Sequence, residues 1–132
     1  MKVNYTNETP AADDLYRLYD HEGWNDFLSL PKEALHQAMS QSWYVLSAYH
    51  EERLIGTGRI VSDGIINAYL CGLIVHSDYR NQGIGKEMVR RLAEKGRQAN
   101  LHLELFSEAE KAPYYERLGF QPFAIGLKDK ND

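Results

Sequence analysis

Residues 70–92 read LCGLIVHSDYRNQGIGKEMVRRL. An aliphatic run gives way to a short polar turn, then to Gly83 and Gly85, then to an amphipathic stretch. The segment from Ile65 to Val75 predicts a strand, interrupted by Gly72, which inside a strand marks a bulge or a close backbone approach. After the turn, Ile84, Met88, Leu92 and Gly96 recur every fourth residue, with Val89 and Ala93 beside them. Lys86, Arg90, Arg91, Glu94, Lys95 and Arg97 take the other side. That spacing predicts a helix over 83–99. LHLELF (101–106) alternates as a strand does. Strand, helix and strand in this order predict one βαβ crossover.

Working outward, Thr9 and Pro10 form a helix-entry signal, a capping hydroxyl followed by proline. Leu15, Leu18 and Tyr19 share one face, so a helix is expected over 11–20, ending at Gly23. A second is expected from Pro31 to Ser40. Trp43–Tyr49 and Leu54–Ser62 are β-rich arms joined by the polar HEER turn, which predicts a hairpin, and Asp63-Gly64 is a further turn. Towards the other end, Ala109–Leu118 predicts a short helix stopped at Gly119, and FQPFAIGLK (120–128) a last strand. The expected fold is α/β: a mixed, mostly antiparallel sheet flanked by helices, with a central β-α-β unit. One domain over 1–132 is the expectation for this length.

Hydrophobic residues make up 43% of the chain and charged residues 26%, an ordinary balance for a packed core. The formal net charge is −4, without the basic excess of a nucleic-acid binder. Cys71 is the only cysteine, so neither an intrachain disulfide nor a CxxC-type zinc quartet is available, and no metal is expected. MKVNYTNETP lacks an apolar signal region, and no window approaches the ~18 apolar residues of a spanning helix. A cytoplasmic protein without membrane contact is the expectation.

The glycine turn fits neither common nucleotide motif. A P-loop needs a glycine five residues before Gly85 and a hydroxyl after Lys86, where Arg80 and Glu87 stand. The dinucleotide fingerprint needs a third glycine at Met88, and GTGRIV (56–61) fails likewise at Val61. What remains is a strand end, a tight turn and a helix start, which leave several N–H groups unpaired and favour an anion. Lys86 and Arg90 are placed to add positive charge.

RNQGIG (80–85) matches the Q/R-x-x-G-x-G/A motif of the GNAT superfamily of N-acetyltransferases, and the segment around it resembles that family's strand–loop–helix signature. PYYERLGF (113–120) resembles the family's terminal block, so the resemblance covers about half the chain, 70–123. It implies acetyl-coenzyme A as cosubstrate. The main chain of Arg80, Asn81, Gln82, Gly83, Ile84, Gly85 and Lys86 would hold the diphosphate. Leu73, Ile74 and Val75 would pair with the pantetheine arm as an added strand. A bulge at Gly72 would splay the sheet for the thioester. Many members carry an asparagine where this chain has SEAEKA (107–112), so a contact made by that residue is lost or replaced.

Transfer to an amine requires a neutral nucleophile near the thioester carbon, a donor for the oxyanion and a proton for the leaving thiolate. Tyr115 matches the family's tyrosine and is the expected proton donor, while Tyr114, about 100° away on a helix, is expected to pack. Asp63, His76 and Glu104 are the candidate bases, with a turn role, a surface strand cap and a solvent-facing position as their respective alternatives. Cys71 reads as a small core residue. Trp24, Phe27, Trp43, Tyr44 and Tyr69 are candidates to line the acceptor pocket, with Arg59 as an anchor for an acceptor carboxylate. The expected activity is acetyl transfer to a primary amine of a small molecule or peptide by direct attack. The alternative is a non-catalytic acyl-coenzyme A sensor or partner module. Pairing of the C-terminal strand between two copies would give a homodimer.

Overall fold

The computed structural model describes residues 1–132. One sheet runs in the order β1 (Asn4–Thr6), β2 (Tyr44–His50), β3 (Arg53–Ser62), β4 (Asn67–Val75) and β5 (His102–Glu104). The first three pairings are antiparallel and β4 pairs β5 in parallel. The sheet is therefore mixed, and α4 (Ile84–Gln98) makes its crossover. On the face away from α4 lie α1 (Ala12–His21) and α3 (Lys32–Ser40), with α2 (Trp24–Leu28) between them in sequence.

The periodicities explain where the core sits. Ile84, Met88 and Leu92 of α4 pack on Leu46, Ala48, Ile55, Ile60 and Leu70. On the other face, Leu15, Leu18 and Tyr19 of α1 meet Leu35 and Met39 of α3 over Val45, Leu54 and Ile74. Gly56 lets α4 approach β3, because a Cβ there would stand 3.0 Å from Met88 Sδ. The α4 helix closes with Asn100 in the left-handed region and Leu101 N–H donating to Gly96 O at 3.1 Å, a C-terminal cap that turns the chain into β5.

Two elements lie outside the expectations, and two expectations need correction. β1 is real although only three residues long, too short to display alternation; it pairs along β2 from Asn4↔Tyr49 to Thr6↔Ser47. Gly23 ends α1, yet the chain re-enters a helix at Trp24. The last strand, 120–128, does not form. It makes no ladder bonds with β5, and an apolar cavity of about 480 Å³ separates Leu103–Phe106 from Phe120–Gly126. Pro122 removes one donor besides. Phe123, Ile125 and Leu127 stay exposed. The expected helix before it is split into a 3₁₀ turn, Ala109–Lys111, and α5 (Ala112–Glu116).

Candidate active site

β4 is nine residues long and β5 only three. Their pairing runs from Asn67↔His102 to Tyr69↔Glu104 and stops. Beyond that point β4 keeps its β3 partner while its other edge is open. A bulge follows at once. Between Arg59↔Cys71 and Thr57↔Ile74, β4 spends one more residue than β3. Gly72 lies in that interval with φ +65, a backbone state that side-chain-bearing residues adopt only with strain. The sheet thus divides where Leu73, Ile74 and Val75 begin.

After β4, His76 N–H donates to Ile55 O at 2.7 Å and a 3₁₀ turn spans Ser77–Tyr79. Asn81 (φ 63) and Gly83 (φ 81) then bend the chain into α4. The N–H groups of Asn81, Gln82, Gly83, Ile84, Gly85 and Lys86 donate to no protein acceptor; the first helical bond is Glu87 N–H to Gly83 O at 3.0 Å. Nothing lies within 4 Å of where a Cβ on Gly83 would stand, so the corner opens outward. A row of free donors at the positive end of a helix suits a diphosphate.

The side chains around the loop divide into committed and free. Arg80 turns back, donating from Nε to Val75 O at 3.2 Å and from its guanidinium to Glu22. Glu22, at the end of α1, has a side chain only 5% exposed and also accepts Ser77 N–H at 3.2 Å. Arg90 is held by Glu87 at 2.6 Å and Glu94 at 3.1 Å, so its charge is already matched. Hydrogen bonds from Arg90 first and Arg91 next pull the Glu87 carboxyl down to about 2. Lys86 makes no ion pair and is the loop's free cation.

His76 is not the surface cap expected from sequence. The end of α1 folds over it, leaving the residue 5% exposed and stacked on His21. Its Nδ1 accepts Asp78 N–H at 3.1 Å, and its Nε2 lies 3.0 Å from Arg53 Nη2. Burial first, then His21 and Arg53, push its pKa below the usual imidazole value. Asp63 accepts the N–H groups of Ile65 and Ile66 at 2.8 and 2.7 Å and serves the turn. Glu104 accepts from Asn67 Nδ2 at 3.0 Å, at the foot of the split.

The two tyrosines of α5 stand apart. Tyr115 lines the apolar cavity and meets Tyr114 and Phe120 edge-on. The Tyr114 hydroxyl instead reaches the start of α4, 3.7 Å from the position of a Cβ on Gly85, which Val75 Cγ2 approaches equally. Tyr114 thus packs at the glycine corner with its hydroxyl towards Gly85. Burial raises both phenols above their usual pKa, so both are protonated donors at neutral pH.

On the face of α1 and α3, Arg59 and Cys71 are paired across β3 and β4 beside Gly72. Cys71 is only partly buried and lies outside the core, so the core role expected from sequence is not met; what burial it has raises the thiol above its usual value. Of the aromatic candidates, Trp24 joins this group through an edge-on contact with Tyr19 at 5.4 Å. Phe27 is 82% exposed, Tyr44 faces Lys95 of α4, Tyr69 leans on Phe106, and Trp43 covers the Gly64 turn. Tyr19 is the residue the sequence reading passed over. It looked like one more apolar position of α1, and only its hydroxyl signalled otherwise.

A family model described as "Acetyltransferase (GNAT) family" matches residues 9–120. An uncharacterized N-acetyltransferase, ycf52, of Pyropia yezoensis is 28% identical over 120 residues, covering 87% of this chain and 67% of the relative. A histone acetyltransferase, TAP1, of Glycine max is 29% identical over 127 residues, covering 87% of this chain and 54% of its own length. The chain thus spans between about half and two thirds of these curated relatives. A probable acetyltransferase of Staphylococcus aureus has the same fold, with a TM-score of 0.82 at 21% identity, covering 98% of this chain and 99% of its own.

Proposed function

The chain belongs to the GNAT family of acetyltransferases, and on that premise we propose that it moves an acetyl group from acetyl-coenzyme A to a primary amine of a small molecule or peptide by direct attack. The observation that carries this reading is the row of free N–H groups from Asn81 to Lys86 at the mouth of α4. The residues present fit the cosubstrate in two further respects. Lys86 is an unspent cation beside the cradle, and the open edge of Leu73–Val75 offers strand-type hydrogen bonds to an extended amide-bearing arm.

The bound thioester supplies the acetyl group and the leaving thiolate. The chain's own groups do the rest. A free N–H on the Leu73–Val75 edge donates to the developing oxyanion. As the carbon–nitrogen bond forms and the carbon–sulfur bond breaks, Tyr115 gives its proton to the thiolate. The proton lost by the amine leaves through water and restores the phenol, so no metal and no acyl-enzyme are required. Tyr114, with its hydroxyl at the Gly85 corner, is the competing phenol. The proposed setting is the cytoplasm; no helix is long and apolar enough to cross a membrane.

Calorimetric titration with acetyl-coenzyme A, followed by thiol release with a panel of amines, tests the reading. Binding with amine-dependent thiol release supports it. Binding without release for any amine returns a sensor or partner module instead, and no binding removes the loop assignment.

A further inference from the structure

Tyr19 is 3% exposed as a residue, and its hydroxyl makes no hydrogen bond within the protein, yet it is not among the fully buried unpartnered atoms, which are Asn25 Oδ1 and Thr57 Oγ1. It points at the bulge, 3.4 Å from the position of a Cβ on Gly72. Arg59 Nε approaches the same position at 3.5 Å. The lack of a side chain at residue 72 therefore keeps a small space between a buried phenol and a guanidinium edge. Arg59 is half-buried and pairs with no carboxylate. Its Nη1 donates to Ser42 Oγ at 3.2 Å and Ala38 O at 3.5 Å, while Nε and Nη2 donate to nothing.

Such a cluster is equipped to hold an anion. The half-buried Arg59 guanidinium, without a counter-ion, and the Tyr19 hydroxyl, without a protein partner, both turn unused hydrogen-bonding capacity to the same space. Burial keeps Tyr19 and Cys71 neutral at pH 7, so Arg59 is the only charge facing the space. The free edge of a guanidinium matches two carboxylate oxygens, and the phenol can donate to one of them.

We infer that Arg59 and Tyr19, facing each other across Gly72, bind the carboxylate of the acceptor, so that the amine acetylated belongs to an amino acid or a close analogue. This rests on the acetyl-transfer reading above. Distance narrows the class. Gly72 adjoins Leu73, where the open edge begins, and strand residues advance about 3.3 Å each. An anchor at Gly72 and an acetyl carbon on the Leu73–Val75 edge are thus within about one to three residues of each other. Amine and carboxylate of the acceptor must be separated by a few bonds. A long polyamine, lacking an anion, leaves Arg59 uncompensated.

The experiment uses the full chain. Acetyl-coenzyme A binding is measured by calorimetry. Thiol release is then compared for free amino acids, the same compounds as carboxamides, and polyamines. The expected result is use of amino acids, with kcat/KM falling on the order of 10- to 100-fold for the carboxamides. Arg59→Gln should raise the acceptor KM by a similar factor and leave acetyl-coenzyme A binding unchanged. Tyr19→Phe, which removes one oxygen and retains the ring, should raise it by about 3- to 10-fold and covers the case in which the arginine variant fails to fold. Carboxamides or polyamines used as well as amino acids, or no acceptor KM change in Tyr19→Phe and in folded Arg59→Gln, overturn this inference alone. Absence of acetyl-coenzyme A binding overturns it together with the reading on which it rests.

Discussion

The rings of His21 and His76 stack with centroids 4.0 Å apart and planes 10° apart, joining the last turn of α1 to the residue that follows β4. His21 Nε2 also lies 2.9 Å from Ser77 Oγ. The turn before the free N–H row is thereby clamped by a helix from the opposite face of the sheet. Because His76 Nδ1 accepts the Asp78 N–H, a second proton on the ring would displace that bond, with the Arg53 guanidinium beside Nε2 adding repulsion.

That clamp should weaken in acid. The folded pKa of His76 lies below its ordinary value of 6.5, so between the two the unfolded chain binds more protons. Stability is complete above 6.5 and declines as the pH falls through that value towards the folded pKa. Thermal melts at intervals from neutral pH downward should show Tm falling below 6.5, and His76→Gln should flatten the slope. An equal slope in the variant would assign the effect to other groups.

Glu22→Gln removes the charge that holds Arg80. Arg80 is 56% exposed, so the cost to stability should stay near 1–2 kcal/mol. The KM for acetyl-coenzyme A should rise by about tenfold with kcat little changed, because the turn loses its anchor while the reacting edge does not. A fall in kcat at constant KM would place Glu22 in the chemistry instead.

Gly83→Glu or Gly85→Glu should abolish coenzyme A binding by filling the cradle and adding like charge. The effect is expected to exceed about 100-fold, since juxtaposed like charges cost several kcal/mol. For Gly83 the φ of 81 adds roughly 1–2 kcal/mol of backbone strain. Calorimetry reads the loss directly; unchanged affinity in a folded variant would mean that the diphosphate sits elsewhere.

Tyr115→Phe should lower turnover by about 100-fold or more while acetyl-coenzyme A affinity changes little. Tyr114→Phe is the companion measurement. If it, and not Tyr115→Phe, slows turnover, the proton comes from the hydroxyl at the Gly85 corner.

The long elements were legible because their periodicity is dictated by burial. α4 buries Ile84, Met88, Leu92 and Gly96 as their spacing requires, and β2 and β3 form the expected hairpin. Gly72 was readable as a bulge or a close backbone approach, and the register of β3 and β4 selects the bulge. The failed strand at 120–128 shows the limit: alternation predicts a capacity to pair, whereas a ladder also needs an edge within reach. Side-chain commitments were hidden for another reason. Arg80 and Arg90 look equally available beside the loop, and only the fold brings Glu22 to one and aligns Glu87 and Glu94 on the other. Tyr19 and Arg59 are forty residues apart and meet only because α1 crosses the sheet at the bulge.

The extra residue at Gly72 also acts as a phase shift. Ala68 and Leu70 point to the α4 layer, and so do Leu73 and Val75, whereas Ile74 faces α1 and α3. One strand therefore changes parity midway and seats its two halves in matching layers. Deleting a single residue there would turn everything downstream by one face, sending Val75 to the wrong side and taking the mouth of α4 out of register with the gap it overlooks.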